Sequence, residues 1–278
     1  MEVAEHETED ARWAVARRPP TSVLRPYLLA EPEGWEKTRG PATSLREVPF
    51  PGVPLILNLG APWEIDEPDG RRERRDSFVA GMYAAPSVVH AASTWRCIEL
   101  RLTPLGAHRL LGVPMHELSN RTVELDDLLP RAEELTTRLR EATSWGERFD
   151  LVEALLLRRL TGTPPPPPAI EWSWQQLTRS GGRVPIGAIA SELGWSHRRL
   201  IARFREHIGL APKTVARVLR FDRVVTALRS PAPRGLAEIA VEYGYFDQAH
   251  LNREFRELAG TTPTRFVGAA LSSGGTAA

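Results

Sequence analysis

The chain has 278 residues, with 36 Lys and Arg against 35 Asp and Glu, 42% hydrophobic residues and one cysteine. That length has room for two domains of roughly 100–170 residues, each burying its own core. A lone Cys97 excludes an intrachain disulfide framework and any multi-cysteine zinc site, and fits a reducing cytoplasm.

In chain order, the acidic opening MEVAEHETED lacks the apolar stretch of a signal peptide and reads as a frayed tail, as does the closing SSGGTAA. No apolar run approaches the ~20 residues of a membrane-spanning helix. VPLILNLG (Val53–Gly60) and CIELRLT (Cys97–Thr103) carry strand-type runs, the second alternating apolar and polar residues, and SFVAGMY and SVVHAAS are shorter candidates. The text then turns helical: Thr103 offers a cap to a short helix. Further on, Phe149, Val152, Leu156 and Leu160 recur at helical spacing. Residues 1–162 therefore read as a small β-barrel or sandwich followed by helices.

Five consecutive prolines, Pro164–Pro168, come next. Such a run favours polyproline II and makes a semi-rigid spacer, so 163–169 is expected to be a linker. The charge balance changes at the same place. From Ile170 to Val267 there are 15 Lys and Arg against 9 Asp and Glu, a net of +6, which leaves −5 for the rest. A basic half joined to an acidic half points to a nucleic-acid or other anionic partner for the former.

Beyond the prolines strand signals nearly vanish. Helices are predicted at about 171–179, 185–193, 196–208, 212–229, 235–243, 247–258 and from 263, an all-α domain spanning 170–268. Two parts of it repeat. Ile186, Ile189, Ala190, Gly194 and Trp195 match Leu236, Ile239, Ala240, Gly244 and Tyr245. After one insertion, Phe246, the residues Leu200, Phe204, Gly209 and Pro212 match Leu251, Phe255, Gly260 and Pro263. Two short helices separated by a Gly and an N-cap residue, Ser196 or Asp247, make a helix-turn-helix. Leu and Phe four apart face the core. The outer face is left to His197, Arg198, Ala202, Arg203 and Arg205 in the first copy, and to Gln248, Ala249, Asn252, Arg253 and Arg256 in the second. Arg, Gln and Asn are the side chains that read base edges in the major groove.

The segment from Ile186 to Phe266 resembles the DNA-binding domain of the AraC/XylS family of bacterial transcription regulators, and GYFDQAHLNREFRELAGTTPTRF matches that family's second unit closely. The resemblance implies two recognition helices entering successive major-groove segments ~34 Å apart on double-stranded promoter DNA. It implies base contacts from Arg198 and Ala202 in the first helix and from Gln248, Ala249 and Arg253 in the second. One departure stands out: Ala202 occupies a position where the family often has Arg, with Arg203 beside it. A one-residue shift turns a side chain by ~100° around the helix, which points Arg203 toward phosphate and leaves Ala202 to meet a thymine methyl.

The family usually carries a second domain for effector sensing or dimerisation, and LRLTPLGAHRLLGVPMHELSNRTVELDDLL resembles a cupin-like domain of some of these regulators. The expected fold is thus α+β overall, a cupin-like β-barrel with helices followed by an all-α double helix-turn-helix. Trp63, Phe78, Tyr83, His90 and Trp95 are the candidates to line a ligand cavity, set against their use as ordinary core. His90, His108 and His116 match no metal-ligand spacing, so no metal, no cofactor and no catalytic residue is expected. The protein reads as a regulator rather than an enzyme, since a repair protein with this helical module would need several zinc-binding cysteines. A small-molecule effector, a homodimer and RNA polymerase are the expected partners, with no membrane. The competing reading is a ligand-independent DNA-binding protein whose N-terminal domain recruits polymerase or another protein.

Overall fold

In a computed structural model, residues 1–230 and 234–272 are described. The N-terminal part contributes eleven strands: β1 (Glu2–Glu7), β2 (Arg12–Arg17), β3 (Glu33–Arg39), β4 (Thr43–Glu47), β5 (Val53–Asn58), β6 (Trp63–Asp66), β7 (Arg72–Arg75), β8 (Phe78–Ala80), β9 (Ser87–Ala91), β10 (Trp95–Leu102) and β11 (Thr122–Glu124). The helices that follow are α1 (Pro104–Leu111), α2 (Leu125–Leu128), α3 (Ala132–Glu141), α4 (Trp145–Gly162), α5 (Pro168–Ser180) and α6 (Ile186–Glu192). The last five are α7 (His197–His207), α8 (Pro212–Arg229), α9 (Leu236–Glu242), α10 (Gln248–Ala259) and α11 (Pro263–Ser272). None of these helices is long and apolar enough to cross a membrane.

The expected α+β architecture is what folds. Its strands form two antiparallel sheets rather than one closed barrel: seven strands in the order β1-β2-β3-β10-β5-β8-β11, and four in the order β4-β9-β6-β7. The alternation seen in the sequence of β10 explains the layering. Ile98, Leu100 and Leu102 stand opposite Leu57, Leu55 and Val53 of β5, and this face packs under α1, α3 and α4. The other face, with Trp35, Ile56, Phe78 and Cys97, meets Trp63, Ile65, Val89 and Ala91 of the small sheet. Phe149, Val152, Leu156 and Leu160 are all buried, as the spacing predicts, and Thr103 caps α1 by accepting the Gly106 N–H.

Two expectations about the ends of elements change. The acidic N-terminus is not a frayed tail but the edge strand β1, paired along its length with β2. His6 stacks on Trp13 at 5.2 Å, and Arg12 and Arg39 pair with Glu5 and Glu7, so charges that look like a solvated run are matched across strands. At the proline run, Pro168 already opens α5, because the first helical position needs no N–H. Residues 273–278, most of the closing SSGGTAA, lie outside the described residues.

One continuous apolar cluster crosses the prolines. It joins the helix-covered face of the large sheet to Ile170 and Trp174 of α5, Ile189 of α6, Leu200 and Phe204 of α7, and Val215 and Val218 of α8. A second cluster starts farther along α8, at Phe221 and Val224, and takes in Ile239, Leu251, Phe255 and Leu258. The 18 residues of α8, about 27 Å long at 1.5 Å per residue, thus serve one core with each end.

Candidate nucleic-acid interface

The two repeats fold into the same motif, with matching hydrogen bonds at the turn and at the cap of the second helix. In the first, the Gly194 N–H donates to Ser191 O at 3.0 Å and the Trp195 N–H to Ala190 O at 2.9 Å. In the second, Gly244 donates to Val241 O at 3.2 Å and Tyr245 to Ala240 O at 2.9 Å. These are paired Schellman bonds, and they require the left-handed backbone that Gly194 (φ 62°) and Gly244 (φ 81°) adopt. The next helix then starts on a side-chain cap: Ser196 accepts the Arg199 N–H at 3.2 Å, and Asp247 accepts the His250 N–H at 2.7 Å. Ala190 and Ala240, where the helices of each unit approach, are buried.

The outward faces of α7 and α10 follow from the same geometry. Leu200, Phe204, Leu251 and Phe255 are fully buried. His197, Arg198, Ala202 and Arg205 are exposed on one stripe of α7, and Gln248, Ala249, Arg253 and Arg256 on one stripe of α10. Asn252 is half-buried, its side-chain oxygen without a hydrogen-bond partner. Arg203 is the member drawn aside: its guanidinium donates to Glu206 at 2.6 Å, one turn along.

The distribution of paired arginines is informative. Arg217 donates to Glu254 at 3.0 Å and also reaches Glu257, and Arg220 lies 3.5 Å from Glu254. Glu254 is only 5% exposed and also accepts the Tyr245 hydroxyl at 2.8 Å. Burial and this carboxylate push the Tyr245 phenol well above its ordinary range. Arg217 and Arg220 therefore fasten α10 to α8. By contrast Arg198, Arg205, Arg253 and Arg256 form no ion pair among the described residues. Exposed guanidinium groups without an ion pair among the described residues, on two helix faces, are suited to phosphates and guanine edges. The sequence reading missed the Glu254 cluster, which joins residues 34 and 37 positions apart and leaves no local signal.

The sequence reading also missed the end of α7. His207 is 5% exposed, and its Nδ1 lies 3.2 Å from Nε2 of His108 on α1. Its own Nε2 has no hydrogen-bond partner. Burial first and His108 second lower its pKa to about 4, and burial lowers that of His108. Beside this contact Ser119 donates to Gly209 O at 2.7 Å. The first unit is thus docked on the sheet-bearing part of the chain.

Among the candidates for a ligand cavity, Trp63, Phe78 and Trp95 come together in the apolar layer between the sheets, with Trp63 and Trp95 5.2 Å apart. Tyr83 and His90 do not join them. The Tyr83 hydroxyl donates to Glu67 at 2.6 Å. His90 lies between Val89 and Ala91, which face inward, so the period of two turns it to the outer face of the small sheet. There it meets Asp66 at 2.8 Å and Ser44 at 2.8 Å. Among the described residues no three His, Cys, Asp or Glu side chains gather so as to hold a metal ion.

Comparison with known proteins bears on both halves. Residues 189–269 match a family described as a helix-turn-helix domain, and residues 17–124 match a domain of unknown function (DUF6597). Over 99 residues the chain is 30% identical to a protein of Proteus vulgaris described as the probable transcription factor PqrA, covering 35% of this chain and 78% of that one. Among solved structures, an apo variant of ToxT from Vibrio cholerae aligns over 95% of this chain and 99% of its own, at 11% identity and a TM-score of 0.47. Wild-type ToxT with bound unsaturated fatty acid aligns over 94% and 96%, at 9% identity and a TM-score of 0.47.

Proposed function

The chain belongs to the AraC/XylS family of DNA-binding transcription regulators, and we propose that it reads a two-part promoter site with α7 and α10 under the control of its N-terminal domain. One observation carries the reading: two copies of one motif, alike in turn and cap, each leave arginines without an ion pair among the described residues on the outer face of the second helix. Arg198, Gln248 and Arg253 are the base readers, with Ala202 and Ala249 as apolar contacts to thymine. His197, Arg205, Asn252 and Arg256 flank them toward the backbone. Arg203 reaches phosphate by exchanging Glu206, a surface pair worth about 0–1 kcal/mol. Fluorescence anisotropy with the full chain on sites mapped across the genome tests this. Affinity at least ~1,000-fold above that for scrambled duplex is expected, and equal affinity for both would refute it.

Control through the N-terminal domain is supported by the packing of the first unit on it, and an open groove beside the proline run, lined by Val23, Tyr27, Arg109, Leu157, Leu160 and Thr163, is a candidate place for a ligand. The effector or a second copy would act through its differential affinity for DNA-fitting arrangements. The aromatic filling between the sheets favours the second reading, in which this domain recruits RNA polymerase or another protein without a ligand. Melting the full chain with candidate ligands, and measuring its mass on one and two half-sites, separates the two. In either reading the protein works in the cytoplasm, as a regulator and not as an enzyme.

A further inference from the structure

We propose that Phe246 is a specificity residue of the second unit, reading the 5-methyl group of a thymine in the major groove. The inference rests on the DNA-reading function above. Phe246 is the one residue inserted into the second repeat relative to the first. It is 89% exposed, the most exposed large apolar side chain among the described residues. An apolar residue just ahead of an N-cap often packs back onto the fourth helical residue. Here that residue is Leu251, fully buried without it.

The backbone on both sides of Phe246 is pinned. Tyr245, before it, enters the core and donates to Glu254. Asp247, after it, caps α10. The N–H of Phe246 itself donates to Nδ1 of His250 at 3.3 Å, and the His250 ring stands edge-on to Tyr245 at 5.2 Å. A phenyl ring is thereby held in water at the N-terminal end of the recognition helix, one residue from the cap and beside exposed Gln248 and Ala249. The first residues of such helices are the ones that meet base edges, and a thymine methyl is the apolar feature presented there. Isolated exposed apolar residues are common on protein surfaces, so the position and the pinned backbone, not the exposure alone, carry the argument.

Deoxyuridine differs from thymidine by that methyl group alone. Once the bound site is mapped, each thymine of the second half-site is replaced in turn by deoxyuridine, and the dissociation constant is measured for the native chain, Phe246→Ala and Phe246→Leu. One replacement is expected to weaken the native protein about fourfold, the value of removing one methyl-sized group from water. Phe246→Ala should lose a similar factor on the thymine site and be indifferent to the replacement there, whereas Phe246→Leu keeps part of the dependence. The side chain is exposed, so the melting temperature should not move. Three results overturn the proposal: a native protein indifferent to every replacement, an alanine variant with undiminished methyl dependence, or an alanine variant weakened equally on all DNA. Failure of the native chain to distinguish its mapped site from scrambled duplex overturns instead the DNA-reading function on which the proposal rests.

Discussion

Phe204 and Phe255 hold equivalent places in the two helix-turn-helix units, each fully buried four residues after a buried leucine. They nevertheless belong to different cores. Phe204 sits in the cluster that continues through α1 and α4 to the large sheet. Phe255 sits in a smaller cluster with Phe221 and Phe266, at 5.0 and 5.5 Å. The N-terminal part touches that smaller cluster through Val48. The same local motif is therefore attached in two ways. The first unit is packed on the N-terminal part, and the second is held mainly by α8 and its Arg217–Glu254–Arg220 clamp.

Truncating the two phenylalanines should separate the two cores. Phe204→Ala and Phe255→Ala should each cost about 3–5 kcal/mol. Loss of Phe204 should lower the stability of the whole chain, while loss of Phe255 should expose the amides of α9 to α11 first. Hydrogen exchange resolved along the chain would show it. Uniform loss of protection in both variants would mean that the two cores are one cooperative unit.

Arg253→Ala sharpens the comparison at the DNA. A bidentate arginine–guanine contact is worth about 1–3 kcal/mol of discrimination at one base position. Arg203→Ala should weaken all sequences alike, as phosphate contacts do. If both variants lose affinity evenly on randomised DNA, the base reader has been assigned to the wrong residue.

A smaller effect belongs to the first unit alone. His207 ordinarily titrates near 6.5 and in the fold near 4. The unfolded chain takes up its proton as pH falls through 6.5, and the folded chain only near 4. Stability from neutral His207 is thus complete above about pH 7 and is lost between pH 6.5 and 4, by about 2 kcal/mol at pH 5. His108 faces it from α1, and Glu206 and Arg203 from its own helix. Urea unfolding at pH 7 and pH 5 should show a smaller drop for His207→Gln than for the native chain. Equal drops would dismiss the histidine contact as a pH-sensitive element.

The second half of the molecule was largely legible in its sequence because its rules are local. Caps at Ser196 and Asp247, turns at Gly194 and Gly244, and the Leu–Phe spacing all act within one or two turns. The predicted helices accordingly fall within a few residues of those observed. The first half depends on pairings that sequence spacing does not encode. Strand β10 lies between β3 and β5, about 60 and 40 residues back, and the charges of β1 make sense only beside β2 and β3. Tyr83 and His90 looked like cavity-lining candidates because aromatic type is visible in a sequence. The face of the sheet that each side chain takes is not. Spacing puts Arg203 on the outer face of its helix, pointing toward phosphate, and its pairing with Glu206 near the docked end of α7 appears only in three dimensions.

If two differently anchored units read one site together, both should leave a mark on the DNA that the chain selects. Selection of the full chain on randomised duplex DNA tests it most directly. Two short motifs on one face of the DNA should be enriched, centred about one helical turn or ~34 Å apart, with Arg253→Ala relaxing one base in only one of them. Enrichment of a single short motif, unchanged when the sequence one turn away is scrambled, would contradict it.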